Sequence, residues 1–143
     1  MSDVITRMLA NRQLERVAVN RDHALAVIEM AKQHVRTAEA LVGSDDQAMA
    51  FTAAYDAARK ALVAVLAAQG LRVRPVGGAH RNTGVAAAEF IEDAALEEFD
   101  WMRQVRNATE YPSDDHPTAS LQDVREAISA ASAIVVACEV HLG

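Results

Sequence analysis

The sequence predicts an all-α protein, on three observations. Apolar residues make up 51% of the chain but aromatic residues only 4%, and this mixture, rich in Ala, Val and Leu, favours packed helices over strands. Apolar residues recur at spacings of three and four, which marks one face of a helix. The prolines and most glycines fall between these periodic segments. Four main helices with short connections predict an antiparallel up-and-down four-helix bundle with a short N-terminal extra segment.

The first long helix is predicted over residues 11 to 42, and Gly43 is its expected end. Residues 2 to 10 are predicted to form a short amphipathic segment before it. The second helix is predicted to begin at SDDQ, where Ser44 with Gln47 resembles a capping box, and to end at Gly70. The apolar face of the first helix comprises Leu25, Ile28, Ala31, Val35, Ala38 and Val42.

The next stretch, LRVRPVGGAHRNTG, contains Pro and a Gly pair, and we expect a long irregular loop there. A third helical region is predicted over residues 85 to 108, with a break near Asp93. The last helix follows Pro117, and Ser120 with Asp123 can cap it. No linker is visible, so we expect one domain over residues 1–143, with its core over 11–142.

Charge and cysteine content exclude several classes of protein. The net charge of −6 excludes a basic nucleic-acid-binding surface over the whole molecule, but not a local basic patch. The single cysteine, Cys138, excludes an internal disulfide and a cysteine-based zinc site. No signal sequence, membrane span, metal cluster or cofactor motif is visible. We therefore expect a soluble cytoplasmic protein with no cofactor, no metal site and no membrane partner.

One segment concentrates positive charge. Between Asp56 and Glu89 the chain has no acid, but it carries His80 and five cationic side chains. Two interpretations stay open: salt bridges with the acidic helix that follows, or a local phosphate-binding patch. The cationic residues are Arg59, Lys60, Arg72, Arg74 and Arg81.

The position of Asp56 also leaves two alternatives. It can pair with Arg59 at i,i+3 on the helix surface, which would contribute little to stability. If it faces the bundle together with Tyr55, it needs a buried cation, for which Arg103 and Arg106 are candidates.

The segments AYDAARKALVAVLAAQGLRVRPVGGAHR and FDWMRQVRNATEYP resemble the HEPN superfamily, the higher eukaryotes and prokaryotes nucleotide-binding domains. The resemblance covers residues 17 to 142, and its most specific part is Arg106 with Asn107 near a helix end, followed by an aromatic residue and Pro. It implies a small helical bundle, often dimeric, of a kind common in bacterial toxin–antitoxin and defence systems. Many such proteins are metal-independent endoribonucleases whose composite site forms across the dimer.

The nuclease motif of that superfamily is an Arg, a polar residue, and a His four to six intervening residues after the Arg. Arg106 and Asn107 match the first two, but Tyr111 stands at the first possible His position and His116 lies beyond the last. Histidine moves protons near neutral pH and arginine stabilises developing phosphate charge. Tyrosine, with an ordinary pKa of about 10, is a poor base at pH 7. The resemblance therefore implies the scaffold and the arginine, with the motif histidine absent.

The predicted site combines these motif residues with nearby charged groups. Alternatives stay open for several of them: Arg106 and Asn107 can cap a helix end, and Tyr111 can pack on the end of the bundle, donate to a phosphate or be a modification target. His116 can be an exposed loop residue or a relocated catalytic group. The predicted catalytic residues are Arg106, Asn107 and Tyr111, and the supporting or phosphate-binding residues are Arg103, Asp56, His80 and Arg81.

The resemblance leads to two hypotheses about function. In the first, the protein binds RNA or a nucleotide and acts as a metal-independent endoribonuclease in a toxin–antitoxin or defence setting. It would be a homodimer with an antitoxin or nucleotidyltransferase as partner. In the second, it is a non-catalytic helical dimerisation or protein-interaction module with a degenerate motif.

Overall fold

The structure is a computed structural model that describes residues 2–112 and 118–143, and this part of the chain is mostly helical. The prediction of an all-α class is confirmed, with a small two-stranded sheet in addition, whereas the up-and-down four-helix arrangement stays a prediction. The helices are α1 (Asp3–Ala10), α2 (Arg21–Leu41), α3 (Gln47–Ala68), α4 (Ala79–Ala87), α5 (Glu98–Glu110) and α6 (Leu121–Leu142). The strands are β1 (Leu14–Arg16) and β2 (Leu71–Val73), and a 3-10 turn, Ala94–Glu97, leads into α5.

The central element is α3, which packs against α2, α4, α5 and α6. A helix covered by neighbours on most sides must be apolar nearly all round, and α3 is. Small side chains at many positions let those neighbours approach closely. Its buried alanines are Ala50, Ala54, Ala57, Ala58, Ala61 and Ala64.

The predicted first helix is wrong at its start. The predicted lead-in over residues 2 to 10 is a separate helix, α1, and α2 begins only at Arg21, where the Asn20 side chain accepts a hydrogen bond from the His23 backbone. The residues between them form β1, which pairs antiparallel with β2. Backbone N–H and C=O groups that would have bonded within the predicted helix bond instead between the two strands.

The turn after α3 requires its glycine. Gly70 has a φ of +71°, and a Cβ atom there would lie 2.9 Å from the carbonyl oxygen of Val17. The Val17 amide donates to the Gly70 carbonyl at 2.9 Å, so the chain before α2 is fastened to this turn. The helix ends at Ala68, close to the predicted stop.

Two predictions between α2 and α5 are wrong. The N-cap of α3 is Asp46, which accepts from the Met49 amide, and not Ser44. The predicted loop contains β2 and α4 instead. The helix α4 begins after Gly78, whose φ is +80°, and buries its apolar face against α3. The predicted break near Asp93 is confirmed, since Asp93 caps the 3-10 turn.

The last helix follows the prediction closely. Ser120 and Asp123 form a reciprocal capping box at the start of α6. Just before it, the Ala119 amide donates to the buried Thr109 hydroxyl at 3.1 Å, which ties the end of α5 to the start of α6. None of the helices in the described part of the chain is both long and apolar enough to cross a bilayer.

Candidate functional site

The centre of the site is Tyr55, which α3 places in the interior with none of its surface exposed. Its hydroxyl lies 3.0 Å from Nδ1 of His80 on α4. Its ring stacks on Phe99 of α5, with centroids 5.3 Å apart and planes 13° apart. Burial raises the pKa of Tyr55 to about 12, so the phenol stays protonated at neutral pH.

His80 is held as a neutral imidazole. Burial lowers its pKa below the ordinary value, and the charges of Arg59 and Arg106 lower it further, against an opposing effect of Asp56. One hydrogen bond joins Nδ1 to the Tyr55 hydroxyl, so the proton on that bond decides the tautomer. If the imidazole donates, Nε2 carries a free lone pair and can act as a base.

Three arginines act electrostatically on this pair. The Arg106 guanidinium carbon lies 5.8 Å from the centre of the Tyr55 ring, within the range of a cation–π contact. Arg59 lies one turn after Tyr55 on α3. The charges of Arg59, Arg106 and Arg103 partly offset the effect of burial on the pKa of Tyr55, and they add to its effect on the pKa of His80. We call Tyr55, His80 and these three arginines the Tyr55 site.

Each arginine of the Tyr55 site has an acidic neighbour on its own helix. These pairs are partly exposed and have i,i+3 or i,i+4 spacing, so each contributes little to stability. Within the described residues, the Nε atoms of Arg59 and Arg106 are buried without a hydrogen-bond partner. The pairs are Arg59 with Asp56 at 3.9 Å, Arg103 with Asp100 at 2.9 Å, and Arg106 with Glu110 at 3.2 Å.

Two residues that were predicted to support the site, Asp56 and Arg81, can now be placed. Asp56 adopts the i,i+3 alternative with Arg59 and is not the ion-pair partner of Arg103 or Arg106. Arg81 is exposed and lines a small cleft beside Asp100. The Arg103 hydrogen bond chiefly lowers the pKa of that aspartate, and the Arg81 charge adds to it.

The other motif residues lie on the outside of α5. Asn107 is exposed, and its carbonyl accepts from the Tyr111 amide at 3.0 Å. Tyr111 is the C-cap residue and is 77% exposed, so it does not pack on the end of the bundle as one alternative proposed. His116 lies outside the described residues. The structure thus gathers Arg103, Arg106, Asp56 and His80, and leaves Asn107 and Tyr111 at the surface.

The predicted list of site residues did not include Tyr55, Arg59 or Phe99, although Arg59 had been named for a possible phosphate-binding patch and Tyr55 as a possible interior neighbour of Asp56. A signal for the first two was present, because a Tyr and an Arg four residues apart share a face of an otherwise alanine-rich helix. The sequence offered no signal for the contact between Tyr55 and His80, because the two residues are 25 positions apart. Among residues 2–112 and 118–143, no cluster of His, Cys, Asp and Glu is arranged to hold a metal ion.

Comparison with known proteins gives one match. The family model for the HEPN domain matches residues 24–141. No curated protein and no solved structure matches the chain. The matched stretch begins in the first turn of α2 and ends in the last turn of α6, so it includes the whole Tyr55 site. It leaves out α1, β1 and the residues that join β1 to α2.

Proposed function

Because the chain belongs to the HEPN domain family, we propose that it binds RNA at the Tyr55 site and cleaves it without a metal ion. The setting we propose is a toxin–antitoxin or defence system. The observation that carries the proposal is the position of Arg106, 5.8 Å from the ring of the buried Tyr55, whose hydroxyl is bonded to the half-buried His80. Arg59 and Arg103 add positive charge beside this pair, and their ion pairs with Asp56 and Asp100 are partly exposed.

Phosphate binding follows from the chemistry of the arginines. Guanidinium groups present several N–H donors in a fixed plane that matches phosphate oxygens. The Arg59 and Arg106 side chains are 27% and 23% exposed, so a phosphate can reach their guanidinium groups. The weak ion pairs to neighbouring acids can be exchanged for this stronger contact at small cost.

The proposed cleavage assigns His80 the role of the missing motif histidine. Its Nε2 atom takes the proton of a ribose 2′-hydroxyl, and the 2′-oxygen attacks the adjacent phosphorus. The bond from phosphorus to the 5′-oxygen breaks, that oxygen takes a proton from water, and a 2′,3′-cyclic phosphate remains. Arg106 and Arg59 stabilise the charge on the phosphorus oxygens in the transition state. Asn107 and Tyr111, exposed at the end of α5, are proposed as further RNA contacts.

The test measures binding and cleavage separately, with a labelled single-stranded RNA in EDTA. Arg106→Ala should weaken binding and abolish cleavage. His80→Gln should keep binding but slow cleavage by about 10²- to 10⁴-fold, the usual contribution of a general base. Arg36→Ala is the matched control, because this exposed arginine of α2 makes a surface hydrogen bond to Gln33 on its own helix, and it should behave as wild type. Unchanged RNA binding in both Arg106→Ala and Arg59→Ala would refute the proposal.

A second candidate is the non-catalytic interaction module. It is favoured by Tyr111 at the motif histidine position and by exposed apolar residues on α6, where Val136 is 58% and Val140 74% exposed. On this reading α6 pairs with a second copy, and an antitoxin or nucleotidyltransferase is the partner. RNA that stays intact in every buffer, together with a dimer that Val140→Asp converts to a monomer in light scattering, would favour the module over the nuclease.

A further inference from the structure

A pocket of about 560 Å³ adjoins the Tyr55 site. It shares two residues with that site, Arg59 and His80, which stand on one of its walls. Its other lining is mainly apolar, with polar and charged groups at the rim. The apolar lining includes Val17, Val63, Leu66, Ala67, Leu71 and Val73, and the polar lining includes Asn20, His23, Arg72, Arg74 and Thr83.

Backbone hydrogen bonds hold the pocket open. The chain from Val17 to His23 forms one wall, and its backbone is fastened to the end of α3. The Val17 amide donates to the Gly70 carbonyl at 2.9 Å, and the Asn20 amide to the Ala67 carbonyl at 3.4 Å. The pairing of β1 with β2 fixes the same wall from the other end. The pocket is therefore a feature of the folded chain and not a gap between side chains.

This wall lies before the stretch that the family model matches. The HEPN match begins at residue 24, whereas Val17, Ala18, Asn20 and His23 precede it. The residues before the matched stretch thus line space directly beside Arg59 and His80. Such a segment can add specificity to a site whose chemistry the domain supplies.

The lining suits a flat heterocycle joined to a phosphate. The volume lies in the range of about 300–1,000 Å³ that is typical of small-molecule sites. Apolar side chains can cover the faces of a base, and the exposed Asn20 side chain, whose oxygen caps α2, can offer its N–H groups to the edge. The Arg72 and Arg74 guanidinium planes can stack on the base. Thr83 already donates to the Ala79 carbonyl at 3.0 Å, and Arg72 pairs with Glu15 at 2.6 Å, so shape and stacking carry the preference for a base.

We propose that this pocket holds one unpaired nucleobase whose own phosphate is bound by the arginines of the Tyr55 site. The proposal deepens the proposed function and rests on it. Arg59 and His80 line the pocket and also belong to the Tyr55 site, so a base in the pocket would lie beside a phosphate bound at that site. A base that is stacked in a duplex cannot enter the pocket, and the protein therefore selects single-stranded RNA.

The first experiment compares ligands with and without a base. Calorimetry would measure binding of ribose 5-phosphate and of the four nucleoside monophosphates, and anisotropy would measure a single-stranded RNA and its copy with one abasic position. Nucleoside monophosphates should bind about tenfold or more tightly than ribose 5-phosphate, since stacking of one base contributes on that order. The abasic RNA should lose a similar factor, and a duplex of the same sequence should bind more weakly than the single strand.

The second experiment fills the pocket. Ala18→Trp places a large side chain at an exposed position of the pocket wall, so the fold should tolerate it. It should remove the preference for base-bearing ligands but leave binding of ribose 5-phosphate unchanged. Ala40→Trp, at an exposed position of α2 away from the pocket, is the matched control and should keep the preference.

The outcomes separate this proposal from the function it rests on. If RNA binding depends on Arg106 but not on the presence of a base, the pocket proposal is overturned and the phosphate site stands. If nucleoside monophosphates are preferred and Ala18→Trp removes the preference, while RNA binding is unchanged in both Arg106→Ala and Arg59→Ala, the pocket stands and the proposed RNA function falls. Equal binding of ribose 5-phosphate and all four monophosphates, or binding of neither, overturns the pocket.

Discussion

Replacing Tyr55 by Phe removes one oxygen atom from the centre of the protein. The ring that stacks on Phe99 stays in place, because its shape is unchanged. The hydrogen bond to Nδ1 of His80 is lost, and no surface of Tyr55 is exposed through which water could replace it. The substitution Tyr55→Phe therefore tests this hydrogen bond almost alone.

The expected loss of stability follows from these contacts. A typical intramolecular hydrogen bond contributes about 1 kcal/mol to folding, and the half-buried His80 nitrogen adds to the loss because it is left without its partner. We expect the free energy of unfolding to fall by about 1–2 kcal/mol. For a domain of this size, each kcal/mol corresponds to about 3–4 °C in Tm. Tyr111→Phe removes the same atom from a side chain that is 77% exposed, and it should change stability by less than about 0.5 kcal/mol.

Urea unfolding followed by circular dichroism measures both variants under one condition. NMR titration of the imidazole then tests the tautomer that the proposed cleavage needs. If His80 donates to the Tyr55 oxygen, the bond favours the charged imidazole, and the pKa of His80 should fall in Tyr55→Phe. A rise in that pKa means that the phenol donates, and His80 then lacks the free Nε2 lone pair of a base. Equal stabilities of Tyr55→Phe and Tyr111→Phe would show that the buried bond contributes nothing.

Three further predictions concern the packing and titration of the fold. Gly84→Ala should lower the free energy of unfolding by about 1–2 kcal/mol, because its Cβ would lie 2.7 Å from a Phe99 ring atom and overpacking outweighs the gain in helix propensity; a more stable variant would contradict this. Thr109→Val should cost about 1–2 kcal/mol in urea unfolding through loss of its buried hydrogen bond, and a neutral result would show that the bond is dispensable. Burial lowers the pKa of His80 and of His34 in the folded protein, so the unfolded chain binds more protons once the pH falls below about 6.5. Thermal unfolding should therefore show stability decreasing as the pH falls from 6.5 towards the folded-state pKa values and levelling below them. His80→Gln should weaken this dependence on pH. The same pH profile in the variant as in the wild type would contradict a contribution of His80.

The sequence predicted best what depends on neighbours along the chain. The last helix carries an uninterrupted apolar stripe and a capping box, and both are local features that the structure reproduces. The break near Asp93 was likewise readable, because an aspartate that accepts from a backbone amide two residues later is a local motif. These elements need no knowledge of the rest of the fold.

Elements that depend on distant contacts were missed. The strands around Leu14 and Leu71 are three residues long, too short to carry a periodic pattern, and each exists because the other is beside it. The helix α4 follows a Pro and two glycines, and its stability comes from packing against α3 more than from its own propensity. For the same reason the site prediction included His80 but could not join it to Tyr55.

The hydrogen bond between Thr109 and the Ala119 amide has a consequence for how this protein can change. It joins the last turn of α5 to the start of α6, so the packing of these two helices does not rest on the Tyr111 side chain, which is 77% exposed. Tyr111→His, which would put a histidine back at the motif spacing, should therefore leave the fold nearly as stable. The position is a suitable place to graft new chemistry.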